Sequence, residues 1–249
     1  MSGHSKWSQI KRKKSATDEK RGRMYGKLLR AIEVAARDGG PSIEGNMTLA
    51  SAVQKARDYS VPVDNIERAI KRSSGDEGGA RFEELTYEGY GPGGVALVVE
   101  AVTDNRNRTG QEVRHTLASL GGKLAEPGSV VWMFERKGLI AVDKDRAPDE
   151  DRLLEIVLES GAEDMRDAGD QWEILTQPEA FLPVRKALEA ASVLVSTAEL
   201  TMVPQQDVPV AADKAASVLR LVEALEELDD VQAVYANFDI PEEVLVEAG

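Results

Sequence analysis

Ser73-Ser-Gly-Asp-Glu-Gly-Gly-Ala80 separates two kinds of hydrophobic period, and the fold class follows from what lies on either side of it. A row of small, polar and glycine residues offers no face to bury, so the stretch reads as a linker. On its amino-terminal side the apolar residues recur at helical spacing. Met24, Leu28, Ile32 and Ala35, joined by Tyr25, Leu29 and Ala36, make one stripe, which Asp38-Gly-Gly-Pro41 ends. Thr17, Asp18 and Glu19 supply a capping hydroxyl and first-turn acids at its start. Leu49, Ala52, Val53 and Ala56 after Asn46, and Ile66, Ala69 and Ile70 after Pro62, mark two further amphipathic helices.

On the carboxy-terminal side strands alternate with helices. Residues 82–90 and 95–102 read as strands joined through Gly89-Tyr-Gly-Pro-Gly-Gly94, followed by a helix at 107–120 and a strand at 130–134. A similar series follows: a strand at 139–142, a helix at 149–160, strands at 162–166 and 171–175, a helix at 178–190 and a strand at 193–202. The last helix, 212–228, and strand, 231–237, are too small to stand alone and are expected to complete the sheet begun at Phe82. Residues 136–203 then form an insertion. The expected fold class is α+β, with an N-terminal three-helix domain and two α/β domains whose sheets are mixed and mostly antiparallel, the third inserted in the second. The expected limits are 1–76 for the basic arm and helical domain, 80–135 plus 204–249 for the discontinuous domain, and 136–203 for the insertion.

Composition narrows the function. The chain has 249 residues, no cysteine and two histidines, His4 and His115, so thiolate and histidine metal centres are not expected, nor is any cofactor. The absence of cysteine fits a reducing cytoplasm. No apolar run approaches the roughly 18 residues of a membrane span, and the first residues lack the apolar core of a secretory signal. A mitochondrial leader is a weaker reading, because the basic start has no apolar face.

The net charge of -13 would ordinarily repel phosphate, but it is divided. Residues 1–74 carry +8 and residues 75–249 carry -21. Lys6, Lys11, Arg12, Lys13, Lys14, Lys20, Arg21, Arg23, Lys27 and Arg30 stand against only Asp18 and Glu19 in the first thirty residues. Screening at physiological salt acts over about 8 Å, whereas a 20-residue helix spans about 30 Å, so a basic end can act apart from an acidic body. Trp7 among these bases adds a flat surface for stacking on a nucleobase. Lys20, Arg23, Lys27 and Arg30 fall off the apolar stripe and are expected to stay solvated. A polyanion-binding arm and first helix are therefore expected, the bland reading being a solvated tail. Charge alone leaves duplex DNA, single strands and ribosomal RNA open, because phosphate contacts carry no sequence information.

Gly3-His-Ser-Lys-Trp7, Ile10-Lys11, Lys13-Lys14, Asp18, Lys20-Arg-Gly22, Tyr25, Lys27-Leu28, Arg30 and Asp64-Asn-Ile-Glu-Arg-Ala-Ile-Lys71 occur in that order. Tyr87-Glu-Gly-Tyr-Gly-Pro-Gly-Gly94, Thr103-Asp-Asn-Arg-Asn-Arg-Thr109 and Gly128-Ser-Val130 follow. Together these segments closely resemble the YebC/PmpR family. The resemblance implies three domains and a cytoplasmic DNA-binding transcriptional regulator, with some members acting instead on the ribosome in translation. An enzyme acting on nucleotides is a distant alternative, because the sequence offers no nucleophile, no base with an orienting partner and no metal site, and a non-enzyme is expected. Ala50 and Val63 stand where that family commonly carries a base, which concentrates the expected nucleic-acid surface on the arm and first helix.

Three other segments are weighed on their own residues. Arg106 and Arg108 fall between a strand and a helix, a second candidate anion site if they flank exposed helix amides, or two solvated arginines on a turn capped by Asn105 or Asn107. The Gly-rich segment ending at Gly94 has no Lys-Ser/Thr after it and reads as a strand connection rather than a phosphate loop. The acids Asp149-Glu-Asp151, Glu226-Glu227 and Asp229-Asp230 read as solvated helix ends with no site. The expected partner is nucleic acid, DNA or ribosomal RNA on the ribosome. No membrane partner is expected, and a monomer is the default oligomeric state.

Overall fold

A computed structural model describes residues 18–73, 82–241 and 244 of the chain, with residues 18–20 described by their backbone alone. Three helices come first: α1 (Asp18–Gly39), α2 (Met47–Asp58) and α3 (Val63–Ser73). Leu28, Ile32, Ala35 and Ala36 of α1 are buried with Leu49, Val53 and Ala56 of α2 and Ile66 and Ala69 of α3. Helical spacing thus becomes one shared core. Asn46 ties the first two helices together. Its Oδ1 accepts from Leu49 N as the cap of α2, and its Nδ2 donates to the carbonyls of Ala35 and Gly40 at 2.7 and 2.9 Å. Gly40, with φ +87, supplies the left-handed turn that ends α1. Met24 lies at the edge of the expected stripe, 36% exposed.

The first sheet contains β1 (Glu83–Tyr90), β2 (Ala96–Thr103), a two-residue β3 (Lys123–Leu124) and β9 (Val231–Ala236), in the order β3-β1-β2-β9 and antiparallel throughout. β2 is central and buried along nearly its whole length, as its near-continuous Ala-Leu-Val-Val run requires. Helices α4 (Arg106–Ser119) and α7 (Ala212–Glu226) contribute Val113, Leu117, Leu221 and Leu225 to a core with Leu97, Val99 and Val234. A short parallel pair, β8 (Val208–Pro209) with β10 (Phe238–Asp239), closes this region. Helix α1 packs against β9.

The second sheet is interposed in the chain between β3 and β8. It contains β4 (Phe134–Asp143), β5 (Ala162–Asp167), β6 (Gln171–Thr176) and β7 (Val195–Pro204), in the order β5-β6-β4-β7, with α5 (Glu150–Glu159) and α6 (Phe181–Ala190). Ile140, Val142, Leu153, Val157, Ile174, Val184 and Leu188 form its core. The fold is therefore α+β, with a helical region followed by two α/β domains, one inserted in the other. By compactness Glu135–Val203 is one unit, and the remaining described residues form a second.

Two expected strands merge. The reading of 130–134 and 139–142 as separate strands is corrected: Val131–Met133 is a 3-10 turn, and one strand runs unbroken from Phe134 to Asp143. The cause is a buried carboxylate, Glu88, which takes the Val130 and Val131 amides that a strand ladder would need.

Gly138 in β4 provides a packing test. A Cβ there would come within 2.3 Å of Thr176 Oγ1 and 2.7 Å of Phe181 Cδ2. Gly138→Ala is expected to destabilise the inserted domain by about 2 kcal/mol through overpacking, measured by denaturant unfolding; an unchanged midpoint would contradict the close contact.

Candidate nucleic-acid interface

Lys6, Trp7, Lys11, Arg12, Lys13 and Lys14 lie outside the described residues. Lys20 falls in the first turn of α1. Arg21 and Arg23, which follow it within the next turn of the same helix, are exposed. The remaining two bases of the helix behave differently. The expectation that Lys27 and Arg30 stay solvated is corrected: Lys27 is only 8% exposed and donates to the Glu226 carbonyl at 2.6 Å. Arg30 donates to Asp230 Oδ1 at 2.9 Å and to the Asp229 carbonyl at 2.7 Å. Both residues face the turn between α7 and β9. The carbonyls at the end of α7 carry the negative pole of its dipole, so a lysine there also completes the helix terminus.

Asp230 is the centre of this contact. Its Oδ2 accepts from Thr103 Oγ1 at 3.0 Å, from Thr109 Oγ1 at 2.7 Å and from Arg108 Nη2 at 2.7 Å, while Oδ1 takes Arg30. Burial raises the pKa of this carboxyl, but the hydrogen bonds from Arg108, Thr109 and Thr103 outweigh it and hold the group below the usual aspartate range. Arg108 is correspondingly raised, first by its hydrogen bond to Asp230. Sequence reasoning placed Asp230 among solvated helix-end acids; the structure buries it.

The Thr103–Thr109 segment is therefore a built turn. Asn105 caps α4, its Oδ1 accepting from Arg108 N at 3.1 Å, and Thr103 Oγ1 accepts from Asn105 N at 2.8 Å. Arg108 also reaches Asp104 at 3.0 Å, and Arg106 is exposed with Glu83 at 3.9 Å. The two arginines of the second candidate anion site thus diverge: Arg108 joins the carboxylate hub and Arg106 points to solvent. Arg23, Arg30, Arg108, Glu112 and Asp229 border a surface depression of about 600 Å³. Its mixed charge suits internal ion pairing more than capture of a free anion, since any anion must compete with Asp230.

A second buried carboxylate, also missed at the level of sequence, links two motifs far apart in the chain. Glu88 is 6% exposed and accepts from Gly128 N, Val130 N and Val131 N at 2.5, 2.7 and 2.9 Å. Desolvation raises its pKa, yet the backbone amides of Val130, Gly128, Val131 and Ser129 lower it further, so the group stays below the ordinary glutamate range. A carboxyl whose folded pKa is depressed stabilises the fold above its unfolded pKa, near 4.3, and that stability is lost as pH falls through the folded value. Glu88→Gln has one acceptor oxygen for three amides and is expected to cost about 2 kcal/mol near neutral pH and to flatten the acid limb of the stability curve. An unchanged acid limb in thermal melts from pH 7 to pH 3 would count against this account.

The glycine-rich segment before β2 is a strand connection, as expected. Gly91 N donates to Val95 O at 2.8 Å, and Gly93 and Gly94 take φ of +78 and +80. Among the described residues no group of three or more His, Asp or Glu could hold a metal ion, and no helix is long and apolar enough to cross a membrane.

A helical region joined through the buried carboxylate of Asp230 to an α/β domain, into which a second α/β domain is inserted, is the class of architecture that this fold defines. Two family models match it: the TACO1/YebC protein N-terminal domain over residues 5–76 and the TACO1/YebC second and third domain over residues 82–238. The chain belongs to the TACO1/YebC family. It is 53% identical over 248 residues to a probable transcriptional regulatory protein of Acidothermus cellulolyticus, covering 99% of this chain and 100% of that protein. A protein of the same description from Rubrobacter xylanophilus is 54% identical over 249 residues, with 99% of each chain covered. The crystal structure of a conserved hypothetical protein from Aquifex aeolicus superposes with a TM-score of 0.82 at 46% identity, covering 93% of this chain and 96% of that one.

Proposed function

We propose that this chain is a cytoplasmic, non-enzymatic DNA-binding transcriptional regulator that holds phosphates with its basic first residues and the start of α1. The observation that carries this reading is the partition of charge, with +8 in residues 1–30 of a chain whose net charge is -13. The structure supports a division of labour within that segment. Arg21 and Arg23, which follow the arm in sequence, are exposed, whereas Lys27 and Arg30 engage the acidic turn at Glu226–Asp230. The phosphate surface is accordingly assigned to Lys6, Lys11, Arg12, Lys13, Lys14, Lys20, Arg21 and Arg23, with Trp7 available for stacking and Arg106 as an outlying base. The names of the relatives supply the regulatory role, which charge alone does not. The working domains in this reading are residues 1–76, 80–135 with 204–249, and 136–203.

The test is a salt titration of the full chain and of an arm-neutralised variant against duplex DNA and against intact ribosomes. Salt-dependent duplex binding that needs the arm supports the proposal. Tight ribosome binding with weak, sequence-blind duplex binding would reassign the same bases to ribosomal RNA. Salt-insensitive binding would remove the arm from the function altogether.

A further inference from the structure

An exposed indole lies outside the basic segment and is held in place by the chain around it. Trp132 is 63% exposed, yet its Nε1 donates to the Ser129 carbonyl at 3.0 Å. With its one donor satisfied internally, what the side chain offers a partner is its flat face. The loop beneath it is fixed by Glu88, whose carboxylate holds the amides of Gly128, Val130 and Val131. The hydroxyl of Tyr90 lies 3.5 Å from the same Ser129 oxygen, so the two aromatic side chains converge on one carbonyl.

Tyr90 is also one wall of a depression of about 420 Å³ whose other borders are Gly91, Gly94, Gly121, Gly122 and Lys123. Gly94 and Gly121 leave backbone exposed there, and a Cβ at Gly94 would meet only open space. The Lys123 ammonium sits 5.5 Å from the centre of the Tyr90 ring. Lys214 reaches the neighbouring turn, its Cδ 3.8 Å from where a Cβ on Gly93 would stand. A fixed aromatic face, a glycine-lined hollow and two lysines at its margin form the combination that holds single-stranded nucleic acid: stacking for the base and cations for the flanking phosphates.

We propose that Trp132, with Tyr90, Lys123 and Lys214, binds an unpaired nucleotide of a single strand. The proposal rests on the nucleic-acid reading of the chain but uses none of the residues assigned to the arm.

The probe is a fluorescein-labelled fifteen-residue oligothymidylate, with an abasic oligomer of the same length as control. In a W7F/W172F chain the emission reports Trp132 alone, and quenching by oligothymidylate but not by the abasic oligomer is expected. Trp132→Ala should weaken oligothymidylate binding about tenfold, with Trp132→Phe recovering much of it and abasic binding unchanged. Quenching that persists in the arm-neutralised chain supports this site whatever the arm does. Unquenched Trp132 emission in an oligothymidylate complex that still depends on the arm overturns this proposal and leaves the proposed function standing. Equal quenching by a proline-rich peptide and by oligothymidylate would also overturn it, because the face would then be a general apolar contact.

Discussion

Replacing Lys11, Arg12, Lys13 and Lys14 together by glutamine is expected to convert a steep salt dependence of duplex binding into a shallow one. Each cation placed on a phosphate releases condensed counterions and contributes about 0.9 to the slope of log affinity against log salt. With about six such contacts the unaltered chain should lose roughly a thousandfold in affinity between 50 and 200 mM salt. Removing four leaves about two, and the same salt change should then cost only about tenfold. The prediction concerns a slope and is insensitive to uncertainty in protein concentration or active fraction. Fluorescence anisotropy with a labelled duplex at five salt concentrations measures it. Parallel slopes for the two proteins would show that the phosphates are held elsewhere, and Arg106, Lys71 and Arg72 would be the next exposed bases to replace.

The same charges explain which parts of the interface could be read from sequence. The apolar stripe of α1 was legible because a helix buries residues at fixed spacing whatever it packs against, and Leu28, Ile32, Ala35 and Ala36 are buried as that spacing requires. The fate of Lys27 was not legible. Lysine carries a long apolar stem that lies along a packed surface while its ammonium reaches out, and the carbonyl that receives it belongs to Glu226, 199 residues further along the chain. No local period encodes a partner at that distance. Asp230 was misread for the same reason. Beside Asp229 it resembles a pair of solvated acids, and only the assembled fold brings Thr103, Thr109, Arg30 and Arg108 around it.

The sheet topology shows the complementary limit. The strand at 95–102 was legible though not its central place in the sheet, and the last helix and strand were correctly assigned to that sheet, since β9 pairs with β2. The two-residue strands β3, β8 and β10 are too short to display a period of two. The apolar run 130–134 mimicked a strand because hydrophobicity alone does not report where its amides bond. Two of them bond to Glu88, forty-odd residues earlier.

Asp230→Ala is expected to cost as much stability as truncating a buried core side chain. The carboxylate is 6% exposed at its side chain and satisfies two buried hydroxyls and two guanidinium groups. Its removal takes the carboxylate from Thr103 and Thr109, both fully buried, leaving their hydroxyls only one another and the Asn105 backbone, and it breaks the Arg30 ion pair while Arg108 keeps Asp104. Breaking such a cluster costs about 3 kcal/mol, of which the buried hydroxyls that lose their charged acceptor are the larger part because the exposed arginine can return to water. The pH dependence has a definite sign. Asp230 has a depressed folded pKa, so the stability it contributes is fully present above the unfolded value near 3.9 and is lost as pH falls through the folded one. The variant should therefore differ most from the parent at neutral pH and converge with it in acid. Differential scanning calorimetry from pH 7 to pH 2.5 measures both effects. Because α1 reaches this carboxylate through Arg30, hydrogen exchange in α1 should also accelerate in the variant. A melting temperature unchanged at pH 7, with α1 protection intact, would show that the helices are held to the sheet by apolar packing alone and that the carboxylate contributes nothing to the join.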